Sequence, residues 1–328
     1  MSRRISLRKR NNKITTGKKT ENASRSRKFL NKRIDVKLRS LKLWISVLLI
    51  AGLGVLGAGA YLWYNNIFTD EERIFYGMLE KSLETDSITR QITQNEQSRL
   101  ENQNYFVTFT TNPLVQSKST VEQIDQNRQK STVSTETLGT KDADFVRYTN
   151  INIPAGSTDK TDYSQVTNIW AKRQTDAESG QNPQFLNEAI FTFILFGNFN
   201  QQQKAELLKL IKDQDVYRFG NDGKVTYDNA RPLYNVTVSI KPRGLVQVLK
   251  KYAEYTGIGD TSMLNPEQYD DKHSFGIQVQ IDMLSRHLRQ ISYPGESRKE
   301  VYQAYGLNRN IELPRSAISI EELQSKIQ

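Results

Sequence analysis

An apolar run of 22 residues, 43–64, divides the chain into two parts of different character. No charged residue lies between Lys42 and Asp70, and aromatic residues stand at both ends of the run, as they do at membrane interfaces. As an α-helix, the run would extend about 33 Å, which is enough to cross a hydrocarbon core of about 30 Å. The sequence therefore predicts a single transmembrane helix over 43–64, with a helix buried in a protein core as the alternative.

The charge of the chain is concentrated before this run. Residues 1–42 contain 16 Lys or Arg and two acids, whereas the later residues contain 30 Lys or Arg and 34 acids, which together give the net charge of +10. Because basic flanks remain in the cytoplasm, the N-terminus is expected inside the cytoplasmic membrane and the C-terminal domain outside it. The expected organisation is a basic, disordered cytoplasmic tail over 1–42, the transmembrane helix over 43–64 and an extracytoplasmic domain over 65–328.

A cleaved signal peptide is the alternative to a permanent anchor. Ala58, Gly59 and Ala60 form an A-x-A sequence of the kind found at processing sites, so cleavage after Ala60 stays open. The long basic segment before the apolar run and its continuation to Tyr64 favour the uncleaved anchor.

The first 64 residues also predict two kinds of partner. The basic tail is expected to attract anionic headgroups of the inner leaflet, unless it is a topology signal alone, and its lack of interleaved aromatic residues disfavours nucleic acid. In the apolar run, Ala51, Gly54 and Ala58 form a stripe of small residues through which two helices could approach as a homodimer. Glycine is also common in spanning helices without any such role.

The residue composition leaves little material for catalysis. The chain has no cysteine, which excludes disulfides, thiol nucleophiles and thiolate metal sites, and its imidazoles are limited to His273 and His287. Asp213, Asp215 and the following residues do not have the spacing of a calcium loop, and Asp270, Asp271 and His273 are more typical of a solvated loop than of a metal site. We therefore predict a protein that is not an enzyme and has no metal and no cofactor.

The periodicity after residue 65 predicts an α+β domain. Apolar and polar residues alternate in 233–240 and 275–283, as in antiparallel strands with one buried face, and 221–223 has the composition of a hairpin turn between two strands. Apolar helices are predicted over 183–196, 201–212 and 243–256, where they would cover that face, and a capping box is predicted at Thr69–Glu72.

Residues 231–314 resemble the closing part of LolA-like and LppX/LprG-type envelope proteins. The shared features are a V-x-V-x-I-D strand, a strand beginning near L-x-x-I, a tyrosine-containing strand and an I-x-x-P ending. They fall on Val279, Ile281, Asp282, Leu288, Ile291, Tyr305, Ile311 and Pro314. The resemblance implies a curved antiparallel half-barrel covered by helices, whose enclosed side holds an acyl chain or a lipoprotein moiety.

From this pattern we predict a membrane-anchored extracytoplasmic protein that binds lipid or a lipidated ligand. The predicted ligand contacts are apolar residues of the sheet and the covering helix, namely Val236, Val238, Ile277, Val279, Ile281, Phe191, Phe193 and Phe196. The same residues are expected in the core. The alternative is a cell-envelope scaffold or signalling module that binds a protein or a wall polymer through the polar strand face.

The anchor can be tested directly on the protein isolated from cells. Because the apolar run continues past Ala60, we expect intact-mass spectrometry to show a chain that retains residues 43–64. A mature N-terminus at Tyr61 would contradict the anchored model and show that the run is a signal peptide.

Overall fold

The computed structural model describes residues 52–62, 70–125, 128–154, 162–175, 182–258, 264–270 and 272–327. Residues 52–62 are helical and include Gly54 and Ala58, whereas Ala51, the predicted tail and the rest of the predicted span lie outside the described residues. Within those described ranges, no helix is both long and apolar enough to cross a membrane. The chain separates into two compact units, Met1–Asn66 and Ile67–Gln328.

The second unit is a mixed α+β structure built on one large sheet. In the described part of the chain the sheet has thirteen strands, all antiparallel to their neighbours except the parallel pair β6 and β13. Their order is β13-β6-β5-β4-β3-β2-β1-β12-β11-β10-β9-β7, with β8 also paired to β9. The strands are β1 Ser87–Glu96, β2 Arg99–Thr108, β3 Leu114–Ile124, β4 Lys130–Gly139, β5 Ala143–Asn152, β6 Ala171–Gln174, β7 Tyr217–Phe219, β8 Lys224–Asp228, β9 Arg231–Ile240, β10 Phe275–Asp282, β11 Leu288–Ser292, β12 Arg298–Gln303 and β13 Ile318–Ser319.

Helices pack against one face of this sheet, which we call the core face. They are α1 Glu71–Ser82, α2 Gln184–Ile190, α3 Gln201–Asp213, α4 Pro242–Thr256 and the C-terminal α5 Ile320–Ser325. Asp70, one residue after the predicted Thr69, caps α1 by accepting a hydrogen bond from the Arg73 amide at 2.7 Å. The α4 helix ends as predicted at Gly257, which has the positive φ of 60° that favours glycine.

The predicted helix over 183–196 is wrong beyond Ile190. Only the seven residues of α2 are helical, and 191–199 is irregular. In this segment the backbone oxygens of Phe193 and Phe196 accept hydrogen bonds from the Tyr217 and Tyr252 hydroxyls, both at 2.6 Å. The Gly197 amide donates to the Ser82 oxygen at the end of α1, and its oxygen accepts from the Thr85 amide, so neither group bonds within a helical turn. These tertiary partners outweigh the helix preference of the apolar sequence.

The predicted hairpin turn at 221–223 is also wrong. Strands β7 and β8 do not pair with each other, because each pairs with a different half of β9. Asp222 fills the gap between them by accepting hydrogen bonds from the Thr237 amide at 3.0 Å and its hydroxyl at 2.6 Å. The hairpin joins β8 to β9, where Asn229 and Ala230 have φ values of 46° and 65°.

Where α2 crosses β4, the two backbones approach closely. A Cβ atom at Gly139 would lie 2.8 Å from the Leu186 backbone nitrogen, so a glycine is needed at this crossing. The Asp144 carboxylate on the neighbouring strand accepts a hydrogen bond from the Gln184 amide at 2.9 Å and thereby holds the start of α2. The position of α2 over the core face is thus determined by two strands.

His287 makes the stability of the fold dependent on pH. Its ring stacks on Tyr305 with 4.0 Å between centroids, and burial lowers the pKa of His287 below its usual value, with Lys81 and Arg289 adding to the effect and Asp282 opposing it. The unfolded chain therefore binds this proton more readily, and stability is lost as pH falls below about 6.5.

We expect the urea midpoint to fall between about pH 7.5 and about pH 5.5 in the wild type. His287→Phe keeps an aromatic ring beside Tyr305 but cannot bind a proton, so its midpoint should change much less. His273→Phe, at the exposed histidine, is the matched control and should behave as the wild type. An unchanged pH response in His287→Phe would contradict this assignment.

Candidate functional site

The predicted ligand contacts on the sheet come together on β9 and β10. Val236 is paired with Val279, and Val238 with Ile277, while Ile281 faces Tyr234. All five predicted strand residues are at most 2% exposed. They belong to one core cluster with apolar residues of α1, α3 and α4, so the predicted contacts form part of a packed core.

The three predicted phenylalanines lie in the irregular segment after α2 and join the same cluster. Phe191 and Phe193 are half-buried, and the Phe193 ring lies 4.7 Å from that of Phe275. Phe196 is buried between two rings inclined by 20°, with centroids 6.4 Å from Phe109 and 5.4 Å from Tyr302. This stack crosses the core towards β12.

A cleft of about 550 Å³ opens beside this core, and we call it the aromatic cleft. It lies between the β2–β3 loop, residues 197–199 and the end of α4. Its apolar lining is Phe109, Pro113, Phe199, Tyr252, Tyr255 and Ile258. At its edge, the Lys141 ammonium donates a hydrogen bond to the Thr256 carbonyl at 2.8 Å. Sequence reasoning missed this cleft because its residues come from distant segments with no shared motif.

A second depression lies over the polar residues of β9–β11. It has a volume of about 190 Å³ and is lined by the charged Asp222 and Lys224 and mainly by amide and hydroxyl side chains, namely Asn235, Thr237, Gln278, Gln280, Gln290 and Ser292. The Gln280 amide donates to the Asn235 side-chain oxygen at 2.9 Å. We call this surface the polar groove.

A third cleft, of about 620 Å³, lies between α1 and α3 and is lined largely by charged side chains. Lys212 lies 4.3 Å from the centre of the Tyr76 ring. Burial, with Glu72 nearby, raises the pKa of Tyr76 to about 12. Lys212 pairs with Glu72 at 3.5 Å, and Glu80 and Lys209 pair with Lys204 and Asp213 outside the lining, so much of the charge in this cleft is already compensated.

A buried ionic cluster lies on the core face where β1 meets β12. Arg90 is 5% exposed and Glu300 is 3% exposed, and the Arg90 Nε atom lies 3.9 Å from the Glu300 Oε2 atom. The hydroxyls of Tyr302 and Tyr293 donate to Glu300 at 2.6 Å and 2.7 Å, and Arg298 donates to it at 2.9 Å. Glu300 is therefore the centre of this network.

The charge state of the cluster follows from these contacts. Burial opposes ionisation of Glu300, but Arg90, the two tyrosine hydroxyls and Arg298 outweigh it and lower the pKa of Glu300. The pKa of Tyr302 is raised well above its usual value by burial and by the Glu300 charge. Glu300 is thus an anion at neutral pH, and the tyrosines stay protonated as donors.

Sequence reasoning did not identify this cluster. The available signal was Arg90 itself, which interrupts the apolar alternation between Ile88 and Ile92 on β1. A charged residue at such a position is buried with a partner or marks a site. Its partner Glu300 is distant in the sequence, so the pairing becomes visible only in the fold.

The sequence clusters considered for metal binding are exposed or already paired. Asp270 and His273 contact each other at 2.8 Å, with the histidine side chain 87% exposed, and Asp215 pairs with Arg218 and Lys241. Across the described ranges, no group of three or more His, Asp or Glu side chains is arranged to hold a metal ion.

Comparison with known proteins gives a structural likeness. No protein-family model and no curated protein matches the chain. Among solved structures, the chain is similar to the crystal structure of Mycobacterium tuberculosis lipoprotein LppX, with a TM-score of 0.33 and 11% sequence identity over 74% of this chain and 100% of that one. LppX is a protein of the type that the sequence of residues 231–314 resembles, and this remote likeness assigns neither a ligand nor site residues.

Removing the centre of the buried cluster tests its energetic role. Glu300→Gln leaves Arg90 buried without a charged partner, so we expect the free energy of unfolding to fall by about 3 kcal/mol. The matched control is Glu122→Gln, at a more exposed ion pair with Lys130, where about 0.5 kcal/mol is expected. Equal effects of the two substitutions in urea unfolding would contradict the role of Glu300.

Proposed function

We propose that residues 65–328 form an extracytoplasmic domain that binds lipid or a lipidated molecule without catalysis. The observation that supports this most directly is the aromatic cleft, which is large enough to hold part of an acyl chain and has aromatic and aliphatic side chains within a mixed lining. Phe109 and Tyr252 belong both to the lining of the cleft and to the core cluster. An acyl chain in the cleft would therefore lie against residues that are already held in place by packing.

The residues predicted from the sequence extend this proposal into the core. The Phe191 ring lies 6.1 Å from that of Tyr252, at the inner side of the cleft, and is only half-buried. A ligand that moves Phe191 and Phe193 would reach Val238 and Ile277. In this proposal the sheet acts as the curved inner wall of a half-barrel and the helices as its cover.

The remaining sequence expectations complete the proposal. The helix over 43–64 anchors the domain to the cytoplasmic membrane with its N-terminus inside, and Ala51, Gly54 and Ala58 pair two such helices. The basic tail over 1–42 contacts anionic headgroups. A tethered domain of this kind holds or transfers a lipid at the membrane and does not diffuse away with it.

Lipid binding can be tested on the full chain with a fluorescent apolar dye, in parallel with native mass spectrometry for co-purified lipid. Thr110 lies exposed at the edge of the aromatic cleft, so Thr110→Trp should fill part of the cleft and weaken dye binding by about 10-fold. Thr93→Trp, at an exposed position of β1, is the matched control and should bind dye as the wild type does. Absence of dye and lipid from the wild type would contradict the proposal.

The polar groove favours the second candidate function, a scaffold that binds a wall polymer or a protein. Its amide and hydroxyl groups lie at two-residue spacing along paired strands, which suits recognition of a polymer rich in hydroxyls. Sedimentation with isolated cell wall distinguishes the two functions. A wild type that binds no dye but sediments with the wall, together with a Gln280→Ala variant that no longer sediments with it, would favour the scaffold.

A further inference from the structure

The Arg90 side chain is buried with an unpaired hydrogen-bond donor. Its Nε atom is fully buried and has no acceptor, and the Glu300 oxygen at 3.9 Å is beyond hydrogen-bond distance. Its favourable contacts are this charge and the Tyr105 ring, whose centre lies 4.9 Å from the guanidinium carbon. An arginine has five N–H donors, and leaving the buried Nε donor of Arg90 unused is costly.

The carboxylates beside Arg90 and beside Tyr105 are engaged with other groups. Glu300 accepts hydrogen bonds from Tyr302, Tyr293 and Arg298. Glu101 pairs with Arg99 at 2.8 Å, and the exposed Glu188 accepts from the Tyr105 hydroxyl at 3.3 Å. Each of these carboxylates is paired with another group, and none accepts a hydrogen bond from the Arg90 Nε atom.

The sheet register places Arg90 relative to the aromatic cleft. On the core face, the residues that follow Arg90 across the next strands are Tyr105 on β2, Ser117 on β3 and Thr137 on β4. The core face therefore becomes polar in the direction of β4. On the other side the neighbour of Arg90 is Tyr302, which stacks on Phe196. Phe196 in turn stacks on Phe109 of the aromatic cleft. Arg90 therefore lies between an aromatic path and a polar strip.

We propose that Arg90 binds the oxyanion, a carboxylate or phosphate, at the polar end of an amphipathic ligand whose acyl chain occupies the aromatic cleft. This inference rests on the proposed lipid-binding function and specifies the chemistry of the ligand. The planar guanidinium matches two oxygens of a carboxylate or phosphate, and such charge-assisted pairs are stronger than neutral hydrogen bonds.

Calorimetry on the full chain in a non-ionic maltoside detergent tests the assignment. The probes are dodecanoate, its uncharged methyl ester, acetate and inorganic phosphate. In the wild type, dodecanoate should bind about 10-fold to 100-fold more tightly than the ester, as expected for charge-assisted hydrogen bonds, and acetate and phosphate should bind weakly.

Arg90→Met should remove this preference while leaving ester binding unchanged. The variant is expected to fold because Glu300 keeps Arg298 and both tyrosine hydroxyls, which circular dichroism can verify. Arg90→Lys retains the charge but loses the planar fork, so it should show an intermediate preference and provides the test if Arg90→Met is unfolded. The matched control, Arg147→Gln at the Glu136 ion pair, should keep the wild-type preference.

The outcomes separate this inference from the proposed function. Equal binding of dodecanoate and ester by the wild type would overturn the role of Arg90 and leave lipid binding intact. Binding of neither probe would overturn both. Phosphate binding as tight as that of dodecanoate, lost in Arg90→Met, would identify a free-anion site and overturn the lipid headgroup assignment.

Discussion

The antiparallel register across the centre of the sheet determines which side chains share the core face. One row of neighbours runs from Val236 through Val279, Ile291 and Glu300 to Ile92. Because side chains alternate between the two faces, a shift of one residue in any of these pairings would move its apolar residues to the polar face. The helices, the core and the buried cluster all depend on this register.

The same register divides this row into two halves of different chemistry. On β9–β11 the row is apolar, and α1, α3 and α4 cover it. Beyond Ile92 the row continues through Gln103, Ser119 and Thr135, which are only half-buried. Burial of apolar area stabilises the first half by about 25 cal/mol per Å². The second half offers little such area, so it does not require the same cover.

The sequence predicted those parts of the fold whose signals are local. The alternation of β9 and β10 and the left-handed Gly257 after α4 depend on residues that are adjacent in the chain, and they are confirmed. The end of α2 at Ile190 was not predictable, because it depends on hydrogen bonds from Tyr217 and Tyr252, which lie far away in the sequence. Arg90 was overlooked for the same reason, since its environment is provided by β2 and β12.

The buried cluster connects stability with the chemistry of the site. An ion pair in a core usually contributes little net stability, since the loss of hydration offsets the attraction between the charges. Here Glu300 is saturated with donors while Arg90 lacks hydrogen-bond acceptors, so the pair is asymmetric. An asymmetric pair leaves one charge whose hydration is lost without full replacement. A ligand oxyanion would take the place of the water that Arg90 loses on burial. Binding and folding would then stabilise the same arrangement of β1, β2 and β12.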